Sequence, residues 1–123
     1  MTLLAMLRHG ATDWSAEGRI QGHTDTSLSA PGRAALQGLR LPPACEAMAV
    51  YSSPLRRCRE TADALRLPGV AIEARLAEMS WGTWEGQSLR ALRERLGPAM
   101  EANEALGLDF RPEGGESPRE VGA

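Results

Sequence analysis

The sequence has 123 residues, which is enough for one folded domain with a single core. Its net charge of -2 excludes a general attraction to nucleic acid or to an anionic membrane surface, and its hydrophobic content of 42% is too high for wholesale disorder. No apolar run approaches the length of a membrane span, and Cys45 and Cys58 do not form a C-x-x-C pair. These features predict a cytoplasmic protein with reduced thiols.

The first predicted element is a buried strand over residues 2–7, because residues 3–7 form an unbroken apolar run. Arg8 and His9 follow at the point where this strand should end, and Gly10 permits a sharp turn. Ligands of open parallel sheets bind beyond the carboxyl ends of the strands. The segment therefore predicts a site that can hold a phosphate and attack it.

The middle of the chain contains a second predicted strand that, like the first, ends in a loop with hydroxyl groups and arginines. A long loop over residues 10–27 precedes a helix that Ser29 caps and that runs to about residue 39. A second buried strand is predicted over residues 47–51, and Ser53 and Pro54 should then begin a helix that runs to about residue 65. Residues 70–72 predict a weaker strand.

The last third of the chain predicts short helices. Residues 78–86 are irregular, and leucines at helical spacing then predict a helix that ends at Gly97. A further short helix should end near Gly107. Ser117, with Glu120 three positions later, forms a capping box that begins another helix. Because the chain stops at Ala123, we expect this element to be incomplete.

Four residues could perform phosphoryl chemistry. A neutral His9 can attack phosphorus, and Arg8 and Arg57 can neutralise phosphate oxygens. Glu78, close in sequence to Trp81 and Trp84, could donate a proton to a leaving oxygen. The alternatives are a core histidine, a solvated arginine face on the helix and a surface glutamate beside core tryptophans.

Four motifs in order resemble the histidine phosphatase superfamily, the family of phosphoglycerate mutases and their phosphatase relatives. The first motif is Arg8-His9-Gly10 with Thr12, followed by the Gly-Arg-Ile-Gln-Gly segment at 18–22. The others are Ser-Ser-Pro-Leu-Arg-Arg at 52–57, Glu78 with Gly-Thr-Trp-Glu-Gly at 82–86, and Pro-x-x-Gly-Glu-Ser at 112–117. Together they cover most of the chain.

The resemblance implies an α/β three-layer sandwich with a central, mostly parallel sheet. It implies that His9 is the phosphohistidine nucleophile and that Glu78 is the proton donor. It implies that phosphate or substrate is bound by Arg8, Arg57, Thr12, Ser15, Gln21 and Gly22. No metal and no organic cofactor are implied, and the partner is a small phosphorylated metabolite.

Two departures from the family pattern affect these expectations. Ser15 stands where the family usually has asparagine, so its hydrogen bond has a shorter reach. The family also has a later histidine followed by glycine, and His23, the other histidine here, does not match that motif. We therefore expect residues 1–123 to form a single domain that lacks its C-terminal portion, with an uncovered sheet edge that favours self-association.

The resemblance implies the function of a phosphomonoester phosphatase. One alternative is an impaired or inactive fragment that binds phosphate or acts as an interaction module. The other is a phosphoglycerate mutase, although mutases of the family carry arginine-rich segments around the position of Glu78, where this chain has Trp81 and Trp84.

Overall fold

The computed structural model describes residues 1–123 as short helices and strands joined by turns. The helices are α1 (Asp13–Ala16), α2 (Ala30–Leu36), α3 (Arg56–Ala64), α4 (Leu89–Leu96), α5 (Pro98–Ala105) and α6 (Pro118–Val121). The strands β1 (Tyr51–Ser52) and β2 (Ala71–Ile72) pair in parallel, with Tyr51 opposite Ala71 and Ser52 opposite Ile72. The predicted α/β class with a parallel sheet is confirmed. None of the helices is long and apolar enough to cross a membrane.

The chain folds as two compact units. The first consists of Met1–Thr12 and Thr26–Ala77, and the second consists of Asp13–Asp25 and Glu78–Ala123. This division does not test the expectation of a single domain over residues 1–123, which stays a prediction.

In the first unit, α2 packs against α3, and α3 connects the two parallel strands. Leu28, Leu36 and Ala62 are buried and supply its apolar core. Ser29 caps α2 as predicted, since its hydroxyl accepts a hydrogen bond from the Gly32 N–H at 3.0 Å. The helix ends at Leu36 rather than near residue 39.

The strand predicted over residues 2–7 is wrong. The structure has no strand there, and the apolar residues Leu4 and Met6 are 79% and 89% exposed. The described sheet contains β1 and β2 alone. An apolar run becomes a strand only when a neighbour supplies the partner for its backbone groups.

Three further boundaries differ from prediction. The helix predicted from Ser53 and Pro54 begins at Arg56, because the Ser53 hydroxyl accepts the Leu55 N–H at 3.3 Å and holds a local turn instead. The strand predicted over residues 47–51 is reduced to Tyr51–Ser52. The predicted loop over residues 10–27 contains the one-turn helix α1.

In the second unit, α4 packs against α5, and Met79, Leu92 and Met100 are buried. Gly97 ends α4 as predicted. The capping box is confirmed, since the Ser117 hydroxyl accepts the Glu120 N–H at 3.2 Å and the Glu120 carboxylate accepts the Ser117 N–H at 2.8 Å. The helix caps predicted from the sequence therefore form in both units.

Candidate active site

The half-buried ring of His9 is held by its neighbour in the chain. Its Nδ1–H donates a hydrogen bond to the Gly10 carbonyl oxygen at 2.7 Å. Because a carbonyl oxygen can only accept, the proton of the neutral ring lies on Nδ1. The lone pair is then on Nε2, which is the nitrogen that can act as a nucleophile. Arg8, the preceding residue, is exposed.

Gly10 is favoured by close packing rather than by an unusual backbone conformation. Its φ angle does not lie in the left-handed region. A side-chain Cβ at this position would lie 2.8 Å from Leu36 Cδ1 and 3.2 Å from Leu28 Cδ2. The predicted sharp turn is thus not the reason for this glycine, which instead lets the core of the first unit approach the backbone beside His9.

A single hydroxyl joins the segment after His9 to the first turn of α3. Thr61 Oγ1 accepts the Gly10 N–H at 2.9 Å and donates to the Arg57 carbonyl oxygen at 2.6 Å. Thr61 is 3% exposed, so neither bond competes strongly with water. The structure therefore joins the backbone of Gly10, the residue after the predicted nucleophile, and the backbone of the predicted phosphate arginine through one hydroxyl.

Arg57 is almost completely buried, with 2% of its surface exposed. Its Nη1 donates to Thr26 Oγ1 at 3.4 Å. Arg56 and Arg57 are the first two residues of α3, where the helix dipole is positive. Cations are unfavourable at this end of a helix and anions are favourable, so an anion bound here would relieve the repulsion.

Glu60 holds the loop beside Arg57, and this role was not predicted from the sequence. Its carboxylate accepts hydrogen bonds from the Ser27 hydroxyl at 2.7 Å and from the Leu28 N–H at 2.7 Å. Arg56 and Arg33 lie 3.3 Å and 3.8 Å from its oxygens. Burial alone would raise the pKa of Glu60, but the Leu28 and Ser27 hydrogen bonds and the two arginines outweigh it and lower the pKa. The spacing of Arg56 and Glu60, four residues apart on a helix, is the signal that could have found it.

Thr12 is the other predicted site residue of the first unit. It is fully buried, and its backbone forms an antiparallel bridge with Leu28. Because the Leu28 N–H also donates to Glu60 of α3, Thr12 is connected to α3 through Leu28.

In the second unit, Ser15 lies in α1 and is half-buried, as is Gln21. Gly22 is buried and has φ +57, a conformation that favours glycine. Glu78 is exposed, and its Oε1 accepts the N–H of Met79 at 3.0 Å.

Glu85, a member of the motif at 82–86, organises the segment after Gln21, and this role was not predicted from the sequence. Its Oε1 accepts the Thr24 hydroxyl at 2.6 Å and the Thr24 N–H at 2.7 Å. Its Oε2 accepts the N–H groups of Trp81 at 2.9 Å and His23 at 3.1 Å. Burial opposes the charge of Glu85, but these donors, the Thr24 hydroxyl first, outweigh it and lower the pKa of the carboxyl.

The tryptophans that follow Glu78 in the chain form an aromatic cluster. The rings of Trp81 and Trp84 stack with centroids 6.1 Å apart, and Phe110 lies 5.1 Å from Trp84. The contribution of Phe110 was not predicted, because it comes from a distant part of the chain. The described residues contain no group of three or more histidines, cysteines or carboxylates placed to hold a metal ion.

Comparison with known proteins identifies a family for this chain. The model of the histidine phosphatase superfamily (branch 1) matches residues 4–123. Glucosyl-3-phosphoglycerate phosphatase of Mycobacterium tuberculosis (strain ATCC 25618 / H37Rv) is 36% identical over 98% of this chain and 55% of its own length. "Probable phosphoglycerate mutase GpmB" of Escherichia coli O1:K1 / APEC is 33% identical over 76% of this chain and 46% of its own length.

Solved structures of similar proteins resemble this chain over most of its length. The mycobacterial glucosyl-3-phosphoglycerate phosphatase in complex with VO3 has a TM-score of 0.72 and 31% identity, covering 92% of this chain and 58% of its own. A protein of Thermus thermophilus has a TM-score of 0.69 and 34% identity, covering 94% of this chain and 64% of its own. The chain spans about half the length of the curated relatives that it matches.

Proposed function

Since the chain belongs to the histidine phosphatase superfamily, branch 1, we propose that it is a phosphomonoester phosphatase that acts through a phosphohistidine at His9. The observation that carries the proposal is the hydrogen bond from His9 Nδ1–H to the Gly10 carbonyl at 2.7 Å. This bond fixes the proton of the neutral ring on Nδ1 and leaves Nε2 with the lone pair. A histidine that attacks phosphorus needs a free lone pair on one nitrogen and a fixed proton on the other.

The first step transfers the phosphoryl group to the protein. His9 Nε2 forms the bond to phosphorus while the bond between phosphorus and the ester oxygen breaks. Arg8 and Arg57 neutralise the phosphoryl oxygens, which would otherwise repel the nucleophile. Thr12, Ser15, Gln21 and Gly22 are proposed to bind the phosphate or the substrate.

Glu78 is proposed to transfer the protons. As a carboxylic acid, it gives its proton to the leaving oxygen, and an alcohol departs. As a carboxylate, it then takes a proton from water, whose oxygen attacks the phosphohistidine. The bond between phosphorus and Nε2 breaks, orthophosphate leaves, and both His9 and Glu78 return to their starting states. No metal or organic cofactor takes part in these steps.

The proposed substrate is a small phosphorylated metabolite. The M. tuberculosis relative is named for glucosyl-3-phosphoglycerate, so a sugar-linked phosphoglycerate is the first compound to test. Its mycobacterial structural counterpart binds VO3, an oxyanion comparable to phosphate, which supports an oxyanion site in this family. Sugar phosphates, phosphoglycerate and α-ribazole phosphate are further candidates.

A non-catalytic phosphate-binding or interaction module is the second candidate function. The observation that favours it is that the 123-residue sequence has His9 and His23 as its two histidines, and His23 is not in the family's second histidine motif. We therefore expect turnover far below that of the M. tuberculosis relative. A mutase activity is a third candidate, supported by the match to GpmB.

The test is a direct search for the phosphohistidine. The full chain is mixed with labelled phosphoester, quenched, and analysed for label that is stable in base and lost in acid. We expect label in the wild type and in His23→Asn, and none in His9→Asn. Label in His9→Asn would overturn the nucleophile assignment.

Two further assays separate the candidates. Release of orthophosphate indicates a phosphatase, whereas transfer between the two hydroxyls of phosphoglycerate indicates a mutase. Vanadate binding that depends on Arg57, without label or turnover, would replace the phosphatase proposal with the phosphate-binding module.

A further inference from the structure

The hydroxyl of Thr61 makes two hydrogen bonds that have different origins. Its donation to the Arg57 carbonyl, four residues earlier in α3, is a bond that any helical threonine can make. Its acceptance of the Gly10 N–H joins residues 51 positions apart and is a product of the tertiary fold. The second bond, made in a nearly water-free position, indicates a role beyond the helix.

Gly10 is held at both of its polar groups. Its N–H donates to Thr61, and its carbonyl oxygen accepts the Nδ1–H of His9. The side chains of Leu36 and Leu28 close the space beside its Cα. The direction of the Gly10 carbonyl is therefore set by Thr61 and by packing, and that carbonyl in turn selects the tautomer of His9.

We propose that Thr61 is a positioning residue for His9, acting through Gly10 to keep the ring proton on Nδ1 and the lone pair on Nε2. The effect of Thr61 on turnover rests on the proposed function, but its effect on the tautomer of His9 does not. The same hydroxyl donates to the Arg57 carbonyl, so one side chain fixes the position of Gly10, next to the nucleophile, relative to the backbone of the phosphate arginine. Such support is what keeps reacting groups within the small tolerance that catalysis requires.

The direct test is the tautomer of His9 in the unliganded full chain. Nitrogen-15 NMR of histidine-labelled protein, recorded above the pH at which histidine titrates, separates the Nδ1–H and Nε2–H forms. His23→Asn assigns the two rings. We expect the Nδ1–H form at His9 in the wild type and in Thr61→Ser, which keeps the hydroxyl, and a shift towards the Nε2–H form in Thr61→Val.

Thr2→Val is the matched control, since it makes the same chemical change at an exposed threonine and should leave the His9 signals unchanged. Circular dichroism checks that each variant folds. If Thr61→Val does not fold, Thr61→Cys measured against Thr61→Ser makes the same comparison, because a thiol is a weak hydrogen-bonding group of similar size.

Turnover gives the second readout. Thr61→Val should lower kcat about ten- to hundredfold with little change in KM, and Thr61→Ser should restore most of the loss. A folded Thr61→Val that keeps the Nδ1–H tautomer overturns the positioning role. If Thr61→Val shows the tautomer shift but the wild type forms no phosphohistidine, the positioning role is supported and the proposed phosphatase function is refuted.

Discussion

Glu60 in the first unit and Glu85 in the second perform the same structural task with different partners. Each half-buried carboxylate holds a loop segment by hydrogen bonds, residues 27–28 for Glu60 and residues 23–24 for Glu85. Glu60 is bonded by a hydroxyl, one backbone N–H and two arginines, whereas Glu85 is bonded by one hydroxyl and three backbone N–H groups. A hydroxyl can reverse its hydrogen bond and an exposed arginine can turn to water, but a backbone N–H can do neither. We therefore expect the Glu85 region to tolerate change less well than the Glu60 region.

The largest effect should come from Gly22→Ala. An alanine at φ +57 is strained, and its Cβ would overlap the Glu85 carboxylate and displace its hydrogen bonds. We expect a loss of about 3 kcal/mol in the free energy of unfolding, measured by urea denaturation. Gly18→Ala is the control, since Gly18 has φ +70 with open space around it and should lose only about 1 kcal/mol. Equal losses at both positions would show that the contact with Glu85 does not matter.

Glu85→Gln should be the next most damaging change. Whichever way the amide turns, its NH₂ group faces at least one backbone N–H, of Thr24 on one side or of His23 and Trp81 on the other. Two opposed donors leave a half-buried group unsatisfied, and we expect a loss of about 2 kcal/mol. Urea denaturation measures the loss, and a neutral result would contradict the rigid-donor explanation.

Glu60→Gln should cost less, about 1 kcal/mol. The amide oxygen can keep the Leu28 N–H, while the NH₂ group donates to a reversed Ser27 hydroxyl and Arg56 turns to solvent. The same denaturation measurement applies. A greater loss than in Glu85→Gln would reverse the ranking of the two regions.

Acid should weaken both regions. The pKa of each carboxyl is lowered from 4.5 in the folded chain, so at pH values just below 4.5 the unfolded chain binds more protons than the folded one. The stabilisation is complete above that pH and is lost as the pH falls through the lowered pKa. Unfolding measured from about pH 7 to about pH 3 should show a steeper loss in wild type than in Glu85→Gln or Glu60→Gln. Identical slopes would argue against the lowered pKa values.

The smallest effect should come from Arg33→Gln. Arg33 is 43% exposed at its side chain and lies 3.8 Å from Glu60, so water screens the pair. We expect a change of less than about 0.5 kcal/mol, which salt at about 1 M should abolish. The acid response of Glu85, which has no arginine partner among its pKa determinants, should not depend on salt. If salt changed the stability loss of Glu85→Gln as much as that of Arg33→Gln, the expected difference between the charged partners of Glu60 and the neutral partners of Glu85 would be wrong.

Local sequence signals predicted the local structure well. Ser29 and Ser117 cap helices as expected, and leucine spacing correctly placed α4. These features depend on residues within one or two turns of each other. The predicted strand over residues 2–7 failed because pairing depends on a neighbour that hydrophobicity does not identify. The helix start at Ser53 failed because a serine can hold a turn as readily as it caps a helix.

The roles of His9, Arg57 and Glu78 were assigned from the chemistry of these residues and from the order of the motifs, and they stay predictions. Glu60, Glu85 and Thr61 were not recognised as supports because each bonds to a residue far away in the chain. A glutamate or threonine on a helix has the same appearance in sequence whether it meets water or a distant N–H.

The sequence by itself determined the family of this protein, its helix caps and the residues available for phosphoryl chemistry, because ordered motifs and capping patterns are read over short stretches. Only the tertiary structure decided which nitrogen of His9 carries the proton and why Gly10 is a glycine. Both depend on contacts with Leu28, with Leu36 of α2 and with the hydroxyl of Thr61 of α3, which lie against the backbone beside His9. Hydrogen bonds and packing act over a few ångströms in space, so residues distant in sequence set the chemistry of the site.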